Sequence, residues 1–239
     1  MKTSDQCRKL LHGYASTKRA KASQRFFKTG PGQYGEGDVF IGVSMPDLRK
    51  VAKQSRDLAI SEVQKLVDSP VHEERMTGLV ILTLKFERAG EQQRQEIYEM
   101  YMTNVYKGNI NNWDLVDVTT PRIIGEYLRN KPHDKLYELA RSEDLWQKRA
   151  AILATFAFIY NGESKTTLEL AHILLHDEHD LIQKAVGWML REVGKRVDET
   201  ALTDFLDKHA DVMPRTMLRY AIERLTPEQR AHFMNRRVG

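Results

Sequence analysis

The chain is 239 residues long, with 41% hydrophobic residues and a formal net charge of +4, enough apolar material for one sizeable core or one elongated stack of helices. Its single cysteine, Cys7, excludes an intramolecular disulfide and fits a reducing compartment. The first thirty residues hold no apolar run of signal-peptide length and no stretch is long enough for a membrane span, so the expectation is a cytoplasmic protein without membrane association.

Residues 1–56 read as basic N-terminal helices with a glycine-rich loop. They carry a net charge of +8, against −7 over residues 57–183 and +3 over residues 184–239. Basic ends around an acidic middle suit an elongated body that grips a polyanion at both ends; a solvated basic face is the plainer reading. Within the first segment, residues 29–46 (TGPGQYGEGDVFIGVSMP) hold five glycines and two prolines and predict an ordered, turn-rich connector. No Gly-Lys-Ser/Thr follows, so it is not a P-loop. Its glycines serve turns, or bring backbone N–H groups towards a phosphate.

From about residue 59 onward the chain is a succession of amphipathic helical patterns separated by short turns, with almost no strand-like alternation. The segments RMTGLVIL from Arg75, WDLVDVTT from Trp113, KRAAILATF from Lys148, QKAVGWMLRE from Gln183 and RTMLRYAIERL from Arg215 align at a spacing of roughly 35 to 40 residues, the range of helical-pair repeats. The expected architecture is therefore all-α: one continuous domain over residues 1–239, with residues 57–239 forming an α-solenoid whose units bury their apolar faces on one another.

Four residues stand at comparable places in those repeats: Trp113, Asp117, Arg149 and Trp188. Trp113 and Asp117 are four apart and share one helix face. Pro121, four further on, has no N–H for the carbonyl of Asp117, so the helix is expected to open or bend at the turn that carries the acid. Two aromatics with an opposed charge pair suit a cationic, planar or sugar-like ligand. The structural alternative is a buried Asp–Arg ladder locking successive repeats, with the tryptophans as core. Further on, HILLHDEH brings His172, His176 and His179 close to Asp177. Without a second set of ligands this reads as a helix end entering a polar turn, and neither a metal nor a cofactor is expected.

The runs NNWDLVD, LWQKRAAIL and IQKAVGWMLRE, with the weaker RFF and MPDLRK nearer the N-terminus, resemble the corresponding segments of the AlkD-like family of DNA alkylation repair glycosylases. The resemblance implies an α-solenoid of HEAT-like repeats with a concave DNA-binding face, and base excision repair of cationic purines such as 3-methyladenine and 7-methylguanine without flipping the base. It also implies roles for particular residues: Asp117 as the catalytic acid, Arg149 as its neighbouring arginine, and Trp113 and Trp188 as cleft aromatics. The RFF match places Phe26 where the family has a tyrosine, with Tyr34 as the other aromatic in that region. Phe26, Lys28, Lys148, Lys184 and Arg191 are the expected DNA contacts.

The chemistry suits these residue types in its own right. A purine alkylated on a ring nitrogen is already cationic and leaves without a general acid, so a carboxylate that stabilises the oxocarbenium-like sugar and positions water suffices. Indole faces attract the same developing charge. The expected protein is a monofunctional glycosylase that hydrolyses the N-glycosyl bond, acts as a monomer on duplex DNA, and has no lysine placed for lyase chemistry. Two alternatives stand beside it: a non-catalytic helical-repeat protein binding damaged or branched DNA, and a protein-interaction scaffold.

Overall fold

The structure, a computed structural model, describes residues 1–236. Among them there is no strand, only an isolated parallel bridge between Val39 and Val71. No described helix is long and apolar enough to cross a membrane. The chain forms two compact units, Met1–Thr119 and Thr120 onward.

The first unit contains α1 (Ser4–His12), α2 (Thr17–Phe26), α3 (Met45–Gln54), α4 (Ile60–Val67), α5 (His72–Phe86) and α6 (Glu91–Tyr106), and α7 (Trp113–Thr120) closes it. The starts of α1, α2 and α3 follow from side-chain caps: Thr3, Ser16 and Ser44 each accept a backbone N–H from the first turn. α5 is the centre of this unit. It packs on α3, α4 and α6, and α1 covers α3 and α4. Residues 72–83 of α5 are buried without a break, so this helix is enclosed on all sides, unlike the one-sided helices around it. α2 is its opposite, for none of its ten residues is buried.

Enclosing α5 takes four consecutive charged or polar side chains, His72, Glu73, Glu74 and Arg75, out of water, which is tolerable only when each is paired. Each is. Glu73 accepts the backbone N–H groups of Ile41, Gly42 and Val43. Glu74 takes Arg8 at 2.9 Å and His12 at 2.7 Å. Arg75 donates to Asp38 and to the Ser69 and Pro70 carbonyls. His72 lies between Asp38 and Asp114.

The second unit runs from a π-helical turn, Pro121–Gly125, through α8 (Glu126–Leu128), α9 (Asp134–Ala140), α10 (Leu145–Ala154), α11 (Phe156–Tyr160), α12 (Lys165–Ile173), α13 (Asp180–Arg196), α14 (Glu199–His209) and α15 (Arg215–Ala221) to α16 (Pro227–Asn235). α9 pairs with α10 and α12 with α13; α10 then packs on α13 and α9 on α12, so that pair stacks on pair. α14 and α15 continue the stack on α13. This is the layering of HEAT-like helical repeats in an α-solenoid, and it follows the aligned segments at Lys148, Gln183 and Arg215.

Two glycines set the closeness of this stack. A Cβ on Gly187 would lie 2.4 Å from the Met217 carbonyl oxygen and 2.6 Å from Tyr220 Cβ, and one on Gly125 would lie 2.3 Å from the Ala154 carbonyl oxygen. Since backbone carbonyls cannot step aside cheaply, α13 against α15, and the π-helical turn against α10, are spaced for glycine alone. Gly187→Ala is expected to lower stability by about 1–3 kcal/mol, read as a reduced urea midpoint without a change in slope. An unchanged midpoint would show that α15 can retreat from α13 freely.

Candidate functional site

The site begins with the start of α7. Asn112 Oδ1 accepts the Trp113 N–H at 2.9 Å, and Asp114 Oδ1 accepts the Leu115 N–H at 2.8 Å, which supplies partners for N–H groups of the first turn. Leu115, Val116 and Thr119 are buried, while Trp113 and Asp117 are half-buried on the opposite side. Thr119 donates to the Leu115 carbonyl and meets the hydroxyl of the fully buried Tyr101 at 2.7 Å. The expected shared face for Trp113 and Asp117 is thus present. α7 gives way at Thr120 to the π-helical turn, where the Glu126 N–H reaches the Pro121 carbonyl. A missing proline N–H leaves the turn without its usual bond, and widening it is one way to keep the helix running.

A ladder of rings lies beside Trp113. Phe27 stacks on the indole at 5.3 Å with 19° between planes, and Phe40 stacks on Phe27 at 5.0 Å and 16°. His72 lies 4.5 Å from Phe40 and 5.2 Å from Phe27. Phe26, 65% exposed at the end of α2, meets Trp113 edge-on at 5.8 Å. Tyr34, the other aromatic of that region, has Lys28 Nζ 5.8 Å above its ring. Lys28 itself is exposed and takes a left-handed backbone, φ 50°. Phe27, Phe40 and His72 are additions that the sequence reading missed.

Beneath the ladder lies a charged network. His72 Nδ1 faces Asp38 Oδ2 at 3.1 Å and Nε2 faces Asp114 Oδ2 at 2.9 Å. Asp38 also accepts from Arg75 at 2.5 Å, from Asn111 at 3.3 Å and from Asn112 at 3.1 Å. Burial pushes the Asp38 carboxyl up, but His72, Arg75 and Asn112 outweigh it and hold the group down at about 2. The glycine-rich loop delivers Asp38. Gly35 passes so near the Phe27 carbonyl that a Cβ would lie 2.4 Å from it, and Gly42 adopts φ 77° where its N–H meets Glu73. The N–H groups of Gly30, Gly32, Ile41, Gly42 and Val43 all go to side chains of this protein. These bonds make much of the loop a scaffold held from within. A signal for this network was present: HEER directly before the largely apolar run MTGLVIL marks a charged helix start about to be buried.

The remaining expected residues lie in the second unit. Arg149 is 5% exposed and donates to the Leu181 carbonyl in the first turn of α13, tying one repeat to the next. Lys148 does likewise through Asp177 at 2.7 Å. Trp188 is half-buried on α13, 5.8 Å from Phe156. Phe156 meets Tyr160 edge-on at 5.3 Å, and Arg196 lies 4.4 Å above the Tyr160 ring. Lys184 pairs with Asp180 at 2.6 Å, and Arg191 pairs with Glu223 and Glu192. α12 ends at Ile173, so His172 is separated by a turn from His176 and from His179, which caps α13. Among the described residues no group of three or more His, Cys, Asp or Glu is placed to hold a metal ion.

Comparison with known proteins adds the following. Residues 7–225 match a protein family described as DNA alkylation repair enzyme. A solved structure titled "Predicted DNA alkylation repair enzyme from Enterococcus faecalis" superposes with a TM-score of 0.67 at 15% identity, over 89% of this chain and 97% of that one. At that identity the likeness bears on the fold alone. No curated protein matches the chain.

The Asp38 carboxylate makes a prediction about acid stability. Its folded-state pKa lies below the ordinary value of 3.8, so its contribution is present above pH 3.8 and is lost as pH falls towards about 2. Asp38→Asn, which leaves His72 and Arg75 without their shared anion, is expected to cost about 3–5 kcal/mol at neutral pH. Urea midpoints of the two proteins should converge over that acid range, and a constant offset would show that Asp38 acts by packing.

Proposed function

Since the chain belongs to the family of DNA alkylation repair enzymes, we propose that it is a monofunctional DNA glycosylase that removes cationic N-alkylated purines from duplex DNA, leaving an abasic site. The observation that carries this reading is the face of α7, where an indole and a carboxylate stand one helical turn apart, half-buried, above a packed aromatic ladder.

The reaction asks little of the protein in proton transfer. An N3- or N7-alkylated purine carries its positive charge before any bond breaks. When the C1′–N bond cleaves, the base takes the bonding pair and leaves neutral, and the charge passes to the sugar as an oxocarbenium-like centre. Asp117 stabilises that centre and orients the water whose oxygen bonds to C1′, and the water's proton passes to the carboxylate or to solvent. Trp113 packs its π face on the sugar and attracts the same charge. Its setting matters here, because Phe27 beneath the indole removes its freedom to rotate away. The base stays in the stack, since the chemistry takes place at the sugar.

Within the second unit, Trp188 offers a half-buried indole for contact with the DNA, and Arg149 holds the helix that carries it through the Leu181 carbonyl. Phe26, exposed at the end of an unburied basic helix, packs on the sugar–phosphate backbone, and Lys28 meets a phosphate. Lys148, Lys184 and Arg191 are held by Asp177, Asp180 and Glu223, so they contribute to a phosphate field as members of ion pairs. With contacts to sugar and phosphate dominating, sequence selectivity is low.

The test is release of free 7-methylguanine and 3-methyladenine from methylated duplex DNA under single-turnover conditions. Asp117→Asn is expected to slow release by about 10²-fold or more while leaving duplex affinity nearly unchanged. Loss of binding in parallel with release would make the carboxylate structural. No release from the unmodified protein, with DNA still bound, would make this a recognition module.

A further inference from the structure

His72 has no place in the chemistry above, yet it is a buried titratable group held from several sides. It is 2% exposed at the start of α5, its backbone N–H donates to the Val39 carbonyl at 2.8 Å, and both ring nitrogens face carboxylates on two other segments. We infer that His72 is a positioning residue for the α7 site: as an imidazolium it donates from Nδ1 to Asp38 and from Nε2 to Asp114, fixing the first turn of α7 while its ring ends the stack that carries Trp113. This inference rests on the glycosylase reading for its consequence in catalysis and on geometry alone for its structural part.

Counting donors and acceptors fixes the protonation state. Asp38 receives hydrogen bonds from Arg75, Asn111 and Asn112 besides His72, and so is ionised. Asp114 Oδ1 accepts the Leu115 N–H, and its Oδ2 faces Nε2. A neutral imidazole donates from one nitrogen only and would turn a lone pair towards the other carboxylate. Only the doubly protonated ring satisfies both. The charged groups around it are Asp38 from the loop, Asp114 from α7 and Arg75 one turn along α5, while Glu73 and Glu74 turn to the loop N–H groups and to Arg8 and His12. Burial alone would lower the ring's pKa, but the two carboxylates override it and hold the group up at about 9.

Because both ring N–H groups are occupied, His72 has none left for DNA or water, and it acts through what it holds. One hydrogen bond fixes Asp114, next in sequence to Trp113. Its ring closes the series Phe40–Phe27–Trp113, so the indole is set from below and from its own helix turn. Deprotonation removes one of the two hydrogen bonds and frees one end of this brace. The folded-state pKa lies above the ordinary 6.5, so the brace is complete below pH 6.5 and its stabilisation is lost as pH rises through about 9.

The experiment compares the unmodified full chain with His72→Gln, which keeps an amide donor but lacks the charge and the ring, at matched folded fraction. Three readouts are taken: nitrogen-15 resonances of the His72 ring, the Trp113 part of the fluorescence (isolated by difference from Trp113→Phe), and single-turnover base release. Expected are two protonated ring nitrogens at neutral pH, and a Trp113 signal that shifts with a midpoint near 9 and loses that transition in His72→Gln. Release in the variant should be slowed by up to about a hundredfold, as for an ångström-scale misplacement, at unchanged duplex affinity. Asp114→Asn, which removes the charge at the less buried end, should shift the Trp113 signal in the same direction and serves if His72→Gln does not fold. A neutral ring at neutral pH, or a Trp113 signal indifferent to both substitutions, overturns the inference. Release that falls only with the folded fraction also overturns it. If the unmodified protein releases no base, the glycosylase reading fails, and the resonance and fluorescence readouts still decide the role of His72.

Discussion

The contact on which the first unit depends is the one between His72 and its two carboxylates. It joins three stretches distant in sequence: the glycine-rich loop through Asp38, α5 through His72, and α7 through Asp114. A cation at a helix N-terminus opposes the helix dipole, and a buried ion without a partner costs several kcal/mol. His72 is both, so its place at the start of α5 is stable only while Asp38 and Asp114 flank it. The same logic governs its neighbours, since Glu73 is stable there because three loop N–H groups converge on it. The buried start of α5 therefore dictates where the loop lies, and the loop in turn carries Phe40 into the aromatic stack.

Seen from that foundation, the α7 site is the upper side of a rigid assembly. Trp113 is a half-exposed ring resting on two packed ones, and Asp117 follows one turn later, just before the helix widens at Pro121. The second unit achieves fixity by other means. Its repeats are locked by close backbone approach at Gly125 and Gly187 and by polar ties such as Arg149 to Leu181 and Lys148 to Asp177. Arg149 thus ties repeat to repeat through a backbone carbonyl.

Several of these features were legible beforehand for definite reasons. Helical repeats announce themselves because each must bury an apolar stripe, so KRAAILATF, QKAVGWMLRE and RTMLRYAIERL align before any packing is known. The shared face of Trp113 and Asp117 follows from the helical period alone. Other features were not legible. Pro121 predicted an opened or bent turn, and whether the chain breaks, kinks or widens depends on the packing around it; here Gly125 sits tight against Ala154 and the turn widens. In the glycine-rich loop, a carboxylate about thirty residues away takes the N–H groups of Ile41, Gly42 and Val43, a pairing that no local pattern shows.

The sequence by itself determined the all-α class, the repeat spacing and the Trp–Asp pair of α7, because these depend on residues a few positions apart in one helix. It also carried the likeness to alkylation repair proteins, because that rests on short runs of residues. Only the tertiary structure decided that HEER is buried, that Asp38 joins Arg75 to His72, and that Phe27 and Phe40 underlie Trp113. Those pairings set Asp38 against residues 34 and 37 positions away and Phe27 against one 86 positions away, through hydrogen bonds and ring contacts with no period that a local pattern could reveal.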